Sequence, residues 1–321
     1  MRDVFKLRSF YTKYFKNVEE KIVPSTVLHS MSMYLPTTPG EHINVNAVTR
    51  DNMPNGSDIG CVVAIHDVPG NDKSYLSLYK PLTKKGIRFL AINLPGFGYS
   101  SYDKRLKCTS NERLIFTKKI CNELIHSKEK VIFMGLGRGC ETAIKITDEY
   151  HDKGCIGCVA ISPYGIKNDH LRDHKFPYNI VYLLSLIKYF GSHQLKPLLD
   201  IRSKVIRRTI CEIDFSTLPP YIKRITKQGQ KFSLVYGGRS KKTTPETSLS
   251  LAEFMSNCKF LKTSKGKEKE NINKIKEFYQ QDILNIAVNV EYSKHKVQKT
   301  SPNFIADICE TMLRSSKLKN E

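Results

Sequence analysis

Short apolar runs, separated by stretches long enough for a helix, constrain the fold of this chain more than any other feature. Six of the seven runs are continuous, which is typical of strands that helices cover on both faces. The first run alternates like a strand with one exposed face. The pattern predicts an α/β fold with a mostly parallel central sheet. The runs are Ile43–Val48, Cys61–Ile65, Ile87–Asn93, Val131–Met134, Ile156–Ile161, Phe232–Tyr236 and Ile286–Val290.

The spacing of these runs also predicts the domain organisation. Residues 166–228 contain no clear strand and lie between two core strands, so we expect a helical lid over the carboxyl edge of the sheet. The α/β core then comprises residues 41–165 and 229–321, and an N-terminal arm that begins with a helix, residues 1–40, precedes it. The lysine-rich residues 261–284 are predicted to form a solvated loop that runs into a helix.

The chain is strongly basic, with 52 Lys and Arg against 31 Asp and Glu, a formal net charge of +21. Such a charge bears on solubility and on acidic partners rather than on the fold. A soluble surface is the plain interpretation, and contact with an anionic membrane or with RNA is the functional one. No nucleic-acid-binding module is recognisable, and few aromatic residues flank the basic clusters to stack on bases. A membrane- or RNA-associated scaffold therefore stays an alternative.

Cysteine usage indicates the compartment. Nine cysteines are scattered along the chain, and only Cys155 and Cys158 form a CxxC pair. This favours free, mostly buried thiols in a reducing, cytoplasmic environment. No apolar run approaches the roughly 20 residues that span a bilayer. The first residues are basic but lack the apolar region of a secretory signal, and a mitochondrial transit peptide is the weaker alternative because Asp3, Glu19 and Glu20 interrupt it.

Neither a metal nor a cofactor is expected. His170 and His174 have the spacing of two zinc ligands on a helix, with Asp173 beside them, but the metalloprotease glutamate is absent between them. We interpret them as polar residues of the lid. The glycines of residues 135–139 (GLGRG) lack the final spacing of the dinucleotide-binding GxGxxG motif.

Three glycine- and proline-rich motifs follow predicted strands, at the edge where open α/β sheets bind their ligands. They are HDVPG at residues 66–70, LPGFGYS at 94–100 and GLGRG at 135–139. The third lies between a strand and the predicted helix 141–150. The motif is therefore predicted to form the tight turn that connects this strand to this helix.

These motifs, in this order and spacing, resemble the α/β-hydrolase superfamily, in particular an uncharacterised branch of serine-hydrolase-like proteins. HDVPG is similar to the HGxPG oxyanion loop, LPGFGYS to the PGFG turn, and GLGRG to the nucleophile elbow GxSxG. The resemblance covers roughly residues 40–321 and implies an α/β-hydrolase fold. It includes the strand end YGGRS (236–240), where the family places its catalytic acid, and the histidine His295.

The resemblance assigns a family position to each residue of the site. It places Gly137 at the nucleophile, Ser240 at the acid and His295 at the catalytic histidine. The oxyanion loop comprises His66, Asp67, Val68 and Arg138, and the elbow is completed by Gly135, Leu136 and Gly139.

Three of these positions depart from the chemistry that the family needs. Gly137 has no oxygen or sulfur to attack a substrate. Glycine does accept the strained positive φ of an elbow freely, so the turn can survive the loss of the nucleophile. Ser240 cannot hold an imidazolium as a carboxylate does. Asp67 replaces a glycine, and its charge would oppose a developing oxyanion whatever the N–H groups of Val68 and Arg138 offer.

No other side chain restores the nucleophile. Cys140 is expected to point into the core, Asp169 can replace only the acid, and His66 is expected to order its loop. The leading hypothesis is therefore a catalytically inactive α/β hydrolase, a pseudo-hydrolase that binds a small apolar or carbonyl-bearing ligand or a partner protein. The alternative is an active hydrolase or lyase with a non-standard nucleophile, in which His295 activates water against an ester-like or other carbonyl substrate.

Overall fold

The computed structural model of the protein describes residues 26–38, 41–166 and 196–315. These residues form a nine-stranded sheet with the strand order β1-β2-β4-β3-β5-β6-β7-β9-β8. β1 and β2 are antiparallel to their neighbours, and the other pairs are parallel. The strands are β1 (Val27–Thr38), β2 (Glu41–Asp51), β3 (Cys61–Ile65), β4 (Arg88–Ile92), β5 (Val131–Leu136), β6 (Cys155–Ile161), β7 (Lys231–Gly237), β8 (Lys259–Thr263) and β9 (Asn285–Val290).

The predicted α/β architecture is confirmed. Each predicted apolar run coincides with one strand, from β2 to β7 and β9, to within a residue or three at its ends. The strands β3, β4, β5 and β7 are buried along their whole length. Continuous apolar runs were the correct signal because helices cover both faces of these strands and leave no solvent face to alternate with.

Two apolar clusters, one on each face, attach the helices to the sheet. One includes Phe116 and Ile144, and the other includes Leu78, Ile275 and Ile308. Among the described residues, no helix is long and apolar enough to cross a bilayer. The helices are α1 (Leu76–Lys84), α2 (Ser110–Leu124), α3 (Gly139–Glu149), α4 (Lys196–Glu212), α5 (Pro219–Lys227), α6 (Pro245–Leu249), α7 (Glu268–Gln280), α8 (Val297–Thr300) and α9 (Pro302–Arg314).

The predicted N-terminal arm differs from the structure. Residues 27–38 form β1, which is the edge strand of the same sheet and pairs with β2 from Val27 opposite Asp51 onward. Met33 and Leu35 are buried, while Ser32 and Tyr34 are exposed, so the segment has the period of two that a half-buried strand requires. The core therefore begins before residue 41. Residues 1–25, where the first helix was expected, lie outside the described residues.

The lysine-rich segment also differs at its start. Residues 261–263 belong to β8, and the helix α7 follows as predicted. Lys259, Phe260 and Lys262 are exposed, because β8 is an edge strand that pairs only with β9. Edge strands commonly carry lysines, which discourage pairing with other chains, and this polar character conceals the strand from a hydrophobicity pattern.

The predicted lid is described only in its second half. α4 lies against the loop that follows β4, where Arg208 donates to the carbonyl of Leu106 over 3.1 Å. α5 instead covers the sheet: it buries Ile222 and Ile225, and Arg224 binds Asp148 of α3. The helix α5 is therefore part of the core, contrary to the predicted boundary at residue 228. A lid stays a prediction for the rest of the insertion, because residues 167–195 lie outside the described residues.

Candidate functional site

The loops that follow β3, β5, β7 and β9 meet at one edge of the sheet. Because these strands are parallel, their carboxyl ends lie side by side. The loops bring together Asp67, Gly137, Lys242 and His295, which are up to 228 residues apart in the sequence. Three of these four residues were predicted site residues.

Gly137 occupies a sharp turn between β5 and α3. Its φ is +55°, in the left-handed region that side chains disfavour, and its N–H donates to the carbonyl of Ile161 over 2.9 Å. A Cβ built at Gly137 would lie 2.6 Å from both Cγ and Oδ1 of Asp67. Backbone conformation and lack of space therefore both require glycine here.

The other elbow residues shape the backbone of the turn. Gly135 and Leu136 end β5, and Gly139 begins α3. A Cβ at Gly139 would lie 2.3 Å from the carbonyl oxygen of Ile65, so glycine allows α3 to approach the end of β3 closely. This approach brings the first turn of α3 next to the loop of Asp67.

One oxygen of Asp67 binds two backbone N–H groups. Oδ1 accepts from the N–H of Val68 over 2.8 Å and from the N–H of Arg138 over 2.9 Å. These are the two N–H groups that the resemblance assigns to the oxyanion hole. Under that assignment, the carboxylate of Asp67 occupies the position of the substrate oxygen on which charge would develop.

The second oxygen of Asp67 binds two side chains from distant loops. Oδ2 lies 3.1 Å from Nε2 of His295 and 2.5 Å from Nζ of Lys242. Burial by itself would raise the pKa of Asp67, but the hydrogen bond from His295 and the charge of Lys242 outweigh it and hold the pKa well below its usual range. Asp67 is therefore an ionised carboxylate with two partners on each oxygen.

The other nitrogen of His295 faces a hydroxyl group. Nδ1 lies 3.0 Å from Oγ1 of Thr243, which in turn lies 3.3 Å from Oγ of Ser240. Ser240 accepts the N–H of Thr243 and makes no hydrogen bond to the imidazole. Within the described part of the chain, no carboxylate binds Nδ1.

Two buried side chains close the site on the side of β6. The guanidinium of Arg138 lies 4.0 Å from the ring centre of Tyr164, and its Nη1 lies 2.7 Å from the hydroxyl of Tyr164. The same ring lies 6.4 Å from the imidazole of His295 and 5.8 Å from Nζ of Lys242. Arg138 thus contributes its N–H to Asp67 and its side chain to an aromatic wall.

Residues 26–314 match the model of one protein family, described as alpha/beta hydrolase of unknown function (DUF1057). The chain belongs to this family. No curated protein has a matching sequence.

Solved structures of other α/β hydrolases share the fold. A bacterial membrane phospholipase A aligns with a TM-score of 0.62 at 14% identity, over 97% of this chain and 96% of its own. An esterase from Thermogutta terrifontis aligns with a TM-score of 0.59 at 14% identity, over 89% and 98%. A serine hydrolase of carbazole degradation gives 0.56 at 13% identity, over 89% and 99%. At these identities the likeness shows the fold alone.

His66 of this α/β hydrolase has both ring nitrogens bound to the backbone. Nδ1 lies 2.8 Å from the carbonyl oxygen of Asp67, and Nε2 lies 3.1 Å from the amide nitrogen of Leu94. Since a backbone carbonyl only accepts and an N–H only donates, the ring is neutral with its proton on Nδ1. Burial lowers the pKa of His66 and keeps it neutral. The residue ties two loops together and has no nitrogen left for a substrate.

The cysteine that follows the elbow and the two cysteines of the CxxC pair are buried, which disfavours a reactive thiolate. The thiol of Cys140 is buried and points at the carbonyl of Ile161, and burial raises its pKa well above the usual value. Burial likewise raises the pKa of Cys155 to about 12 and that of Cys158 still further. The described residues contain no cluster of His, Cys, Asp and Glu that could hold a metal ion. Asp169, His170, Asp173 and His174 lie outside them.

Sequence reasoning missed Lys242, Thr243 and Tyr164. Lys242 and Thr243 follow Ser240 in the loop after β7, and Tyr164 follows the end of β6. Their position after buried strands was the available signal. Nothing in the local pattern shows that the loop folds back over Asp67 and His295.

Proposed function

We propose that this α/β hydrolase does not hydrolyse esters and binds a ligand or partner at its carboxyl edge without turnover. One observation carries the proposal. The carboxylate of Asp67 accepts the N–H groups of Val68 and Arg138 and lies where a side chain on Gly137 would have to be.

Acyl transfer needs a nucleophile and a free oxyanion hole. Gly137 supplies no nucleophile, and loss of that group lowers kcat by about 10⁶ in a serine hydrolase. The N–H pair that would stabilise the oxyanion already binds a negative charge. A substrate would have to expel Asp67 from two hydrogen bonds and from its contacts with Lys242 and His295.

The alternative of a water activated by His295 needs a free imidazole nitrogen. An acid does lie within hydrogen-bond reach of His295, which a base-catalysed reaction requires. That acid, however, binds Nε2, the nitrogen that should face the substrate, while Nδ1 faces Thr243. Asp67 therefore blocks Nε2, the nitrogen that would act as the base, instead of orienting the ring through Nδ1. This arrangement argues against the alternative.

The same contacts bear on the ligand. A carbonyl-bearing ligand gains little from this edge, because its oxygen finds the N–H pair already bound to Asp67. The proposal thus places a bound ligand above the Asp67 carboxylate, in contact with the side chains of the surrounding loops.

Generic ester hydrolysis tests the proposal directly. We expect the purified protein to hydrolyse p-nitrophenyl acetate and butyrate no faster than buffer, and to take up no fluorophosphonate probe for active-site serines. Hydrolysis that disappears in a His295→Ala variant would refute the proposal.

A reconstruction tests whether Asp67 is what blocks the site. The triple variant Gly137→Ser, Ser240→Asp, Asp67→Gly restores the family residue at each position. The double variant Gly137→Ser, Ser240→Asp is the control, and it should gain nothing, because the new Cβ would overlap the Asp67 carboxylate. Esterase activity in the triple variant alone would support the blocking role of Asp67. Equal activity in both variants would contradict it.

A further inference from the structure

We propose that the mouth of this site binds a ligand that carries clustered phosphate groups. The binding groups are Arg239, Lys241, Lys294 and Lys296, which we name the mouth cluster. The inference rests on the proposed function, since it names the ligand class of the non-hydrolytic site.

The mouth cluster lies on two loops that contact each other along their length. The N–H of Arg239 donates to the carbonyl of Ser293 over 2.9 Å, and Thr243 lies 3.0 Å from the imidazole of His295. Gly237 packs so tightly against the second loop that a Cβ would lie 2.2 Å from the carbonyl oxygen of Lys294. The cations are therefore carried on adjoining backbone beside Asp67 and His295.

The side chains of the mouth cluster are exposed, and none of them is bound to an acidic residue that the structure describes. Within the described ranges, none of the four makes a side-chain hydrogen bond or ion pair. Cations elsewhere are commonly paired: Lys85 binds Asp307 and Glu310, and Lys274 binds Glu270. Like charges held together repel one another, and a bound anion would relieve that repulsion.

The sequence of the two loops strengthens this charge. Residues 238–244 (GRSKKTT) contain three cations and no acid, and residues 291–296 (EYSKHK) contain two lysines and a single acid, Glu291. The third cation of the first loop, Lys242, is already neutralised by Asp67. The excess positive charge of the two loops is therefore carried by exposed side chains.

The chemistry of these groups favours phosphates. Because Asp67 occupies the backbone N–H pair, a ligand must be held by side-chain cations, and Arg and Lys both bind phosphate oxygens strongly. Several cations on two loops match several phosphate charges better than one carboxylate. A neutral apolar ligand would leave all of them unpaired.

The loops offer little to a nucleic-acid base. Their one aromatic residue, Tyr292, is half-buried, and its hydroxyl contacts Glu268 and Ser301. Single-stranded RNA is bound by exposed aromatic rings as well as by cations. The mouth cluster therefore fits a compact phosphorylated group better than an RNA strand.

Calorimetric titration of the full-length protein tests the proposal. The soluble probes are tripolyphosphate and inositol hexakisphosphate, and the lipid probe is phosphatidylcholine vesicles with and without phosphatidylinositol bisphosphate. These arms separate a free phosphorylated compound from a lipid headgroup. We expect saturable binding of at least one probe, weakened at high salt.

A charge-matched pair of variants locates the site. Replacing all four residues of the mouth cluster by Gln should weaken binding by about tenfold or more. The control replaces four exposed lysines that precede the amino ends of β4, β5, β6 and β7, on the opposite edge of the sheet, and should change the affinity less than about twofold. The control substitutions are Lys84→Gln, Lys128→Gln, Lys153→Gln and Lys227→Gln.

Two results would overturn the proposal: no binding of any phosphate probe by the folded protein, whether or not it binds single-stranded RNA, or equal weakening of phosphate binding in both variants. Circular dichroism verifies that both variants fold. Ester hydrolysis is measured in the same samples. Turnover would refute the proposed function, whereas binding that survives loss of the mouth cluster would refute this inference alone.

Discussion

Two clusters of buried charge lie at opposite ends of the central sheet, and they are built differently. At the amino end of β4, Arg88 binds Asp51 over 2.8 Å and Glu129 over 3.0 Å, and all three side chains are at most 2% exposed. At the carboxyl edge, Asp67 binds His295 and Lys242, and the Lys242 side chain is 36% exposed. One cluster is sealed, and the other reaches solvent.

The positions of the carboxylates in the fold distinguish the two clusters. Asp51 and Glu129 contact the guanidinium that neutralises them, as structural ion pairs do. Both carboxylates also accept backbone N–H groups, and Asp51 lies 3.1 Å from the imidazole of His29, so such contacts occur in both clusters. Asp67 differs in its position: its N–H partners come from the loops that follow β3 and β5, beside a glycine that leaves room for its carboxylate. Neither burial nor the types of partner therefore separates the two clusters, whereas their place in the fold does. Under the proposed function, the surroundings of Asp67 correspond to a reaction site that its side chain fills.

Removing the cation of the sealed cluster, Arg88, should have the largest effect on stability. Arg88→Met removes the guanidinium that binds two buried carboxylates, and we expect the free energy of unfolding to fall by about 3–5 kcal/mol. Urea denaturation measures it. Arg105→Met, which breaks an exposed pair with Asp103, is the control and should lose far less. Equal decreases in the free energy of unfolding would show that the buried and the exposed ion pairs contribute equally to stability.

Adding a methyl group at Gly137, next to Asp67, should have the second-largest effect on stability. Gly137→Ala forces a Cβ into positive φ and into the Asp67 carboxylate, and should destabilise the protein by about 2–4 kcal/mol. In an Asp67→Gly background the overlap is gone, so the same substitution should be milder by about 1–3 kcal/mol. A double-mutant cycle by urea denaturation measures this coupling. Additive effects would show that Asp67 does not fill the space at Gly137.

Removing the charge of Asp67 should have a moderate and pH-dependent effect. Asp67→Asn should lower stability at neutral pH by roughly 1–3 kcal/mol, because hydrogen bonds to a charged group are lost. The pKa of Asp67 is depressed in the folded state, so its contribution is complete above the unfolded value of about 3.9 and is lost as the pH falls below it. The difference in stability between wild type and variant should thus narrow below about pH 4.

Chemical denaturation at several pH values measures this gap. Asp58→Asn, at an exposed carboxylate, is the control and should change stability little throughout. A gap that widens on acidification would contradict an ionised Asp67.

Removing the hydroxyl groups beside His295 should have the smallest effect on stability. Thr243→Val removes the contact with Nδ1 at little change in shape, and should lower stability by about 1 kcal/mol. It should also shift the Nδ1 resonance of His295 in a nitrogen-15 NMR spectrum. Ser240→Ala removes only a neighbour of Thr243 and should shift that resonance less. A larger shift in Ser240→Ala than in Thr243→Val would indicate that Ser240, at the family's acid position, is the residue that acts on the imidazole.

Much of the fold could be predicted from the sequence, and the exceptions have a common cause. Continuous apolar runs revealed the strands that helices cover on both faces. β1 and β8 are edge strands with polar residues on their open sides, so their pattern is weak. α5 carries its apolar residues on one face only and was grouped with the insertion, although it packs on α3.

The site could be predicted in part. Gly137, Asp67 and His295 follow strands that end at one edge, and the structure brings them together. The Asp67 charge was recognised as unfavourable for an oxyanion, but its place on the N–H groups depends on how its own loop folds back. The contact between Lys242 and Asp67 joins residues 175 apart in the chain. No local pattern encodes it.

The crowding between Gly137 and Asp67 also has a historical consequence. A serine that arises at position 137 while the carboxylate remains finds no room, and loss of the carboxylate alone yields no attacking group. Regaining an esterase from this chain therefore takes at least two mutations in a set order, with the aspartate removed first. Selection would have to retain each intermediate for a property other than catalysis.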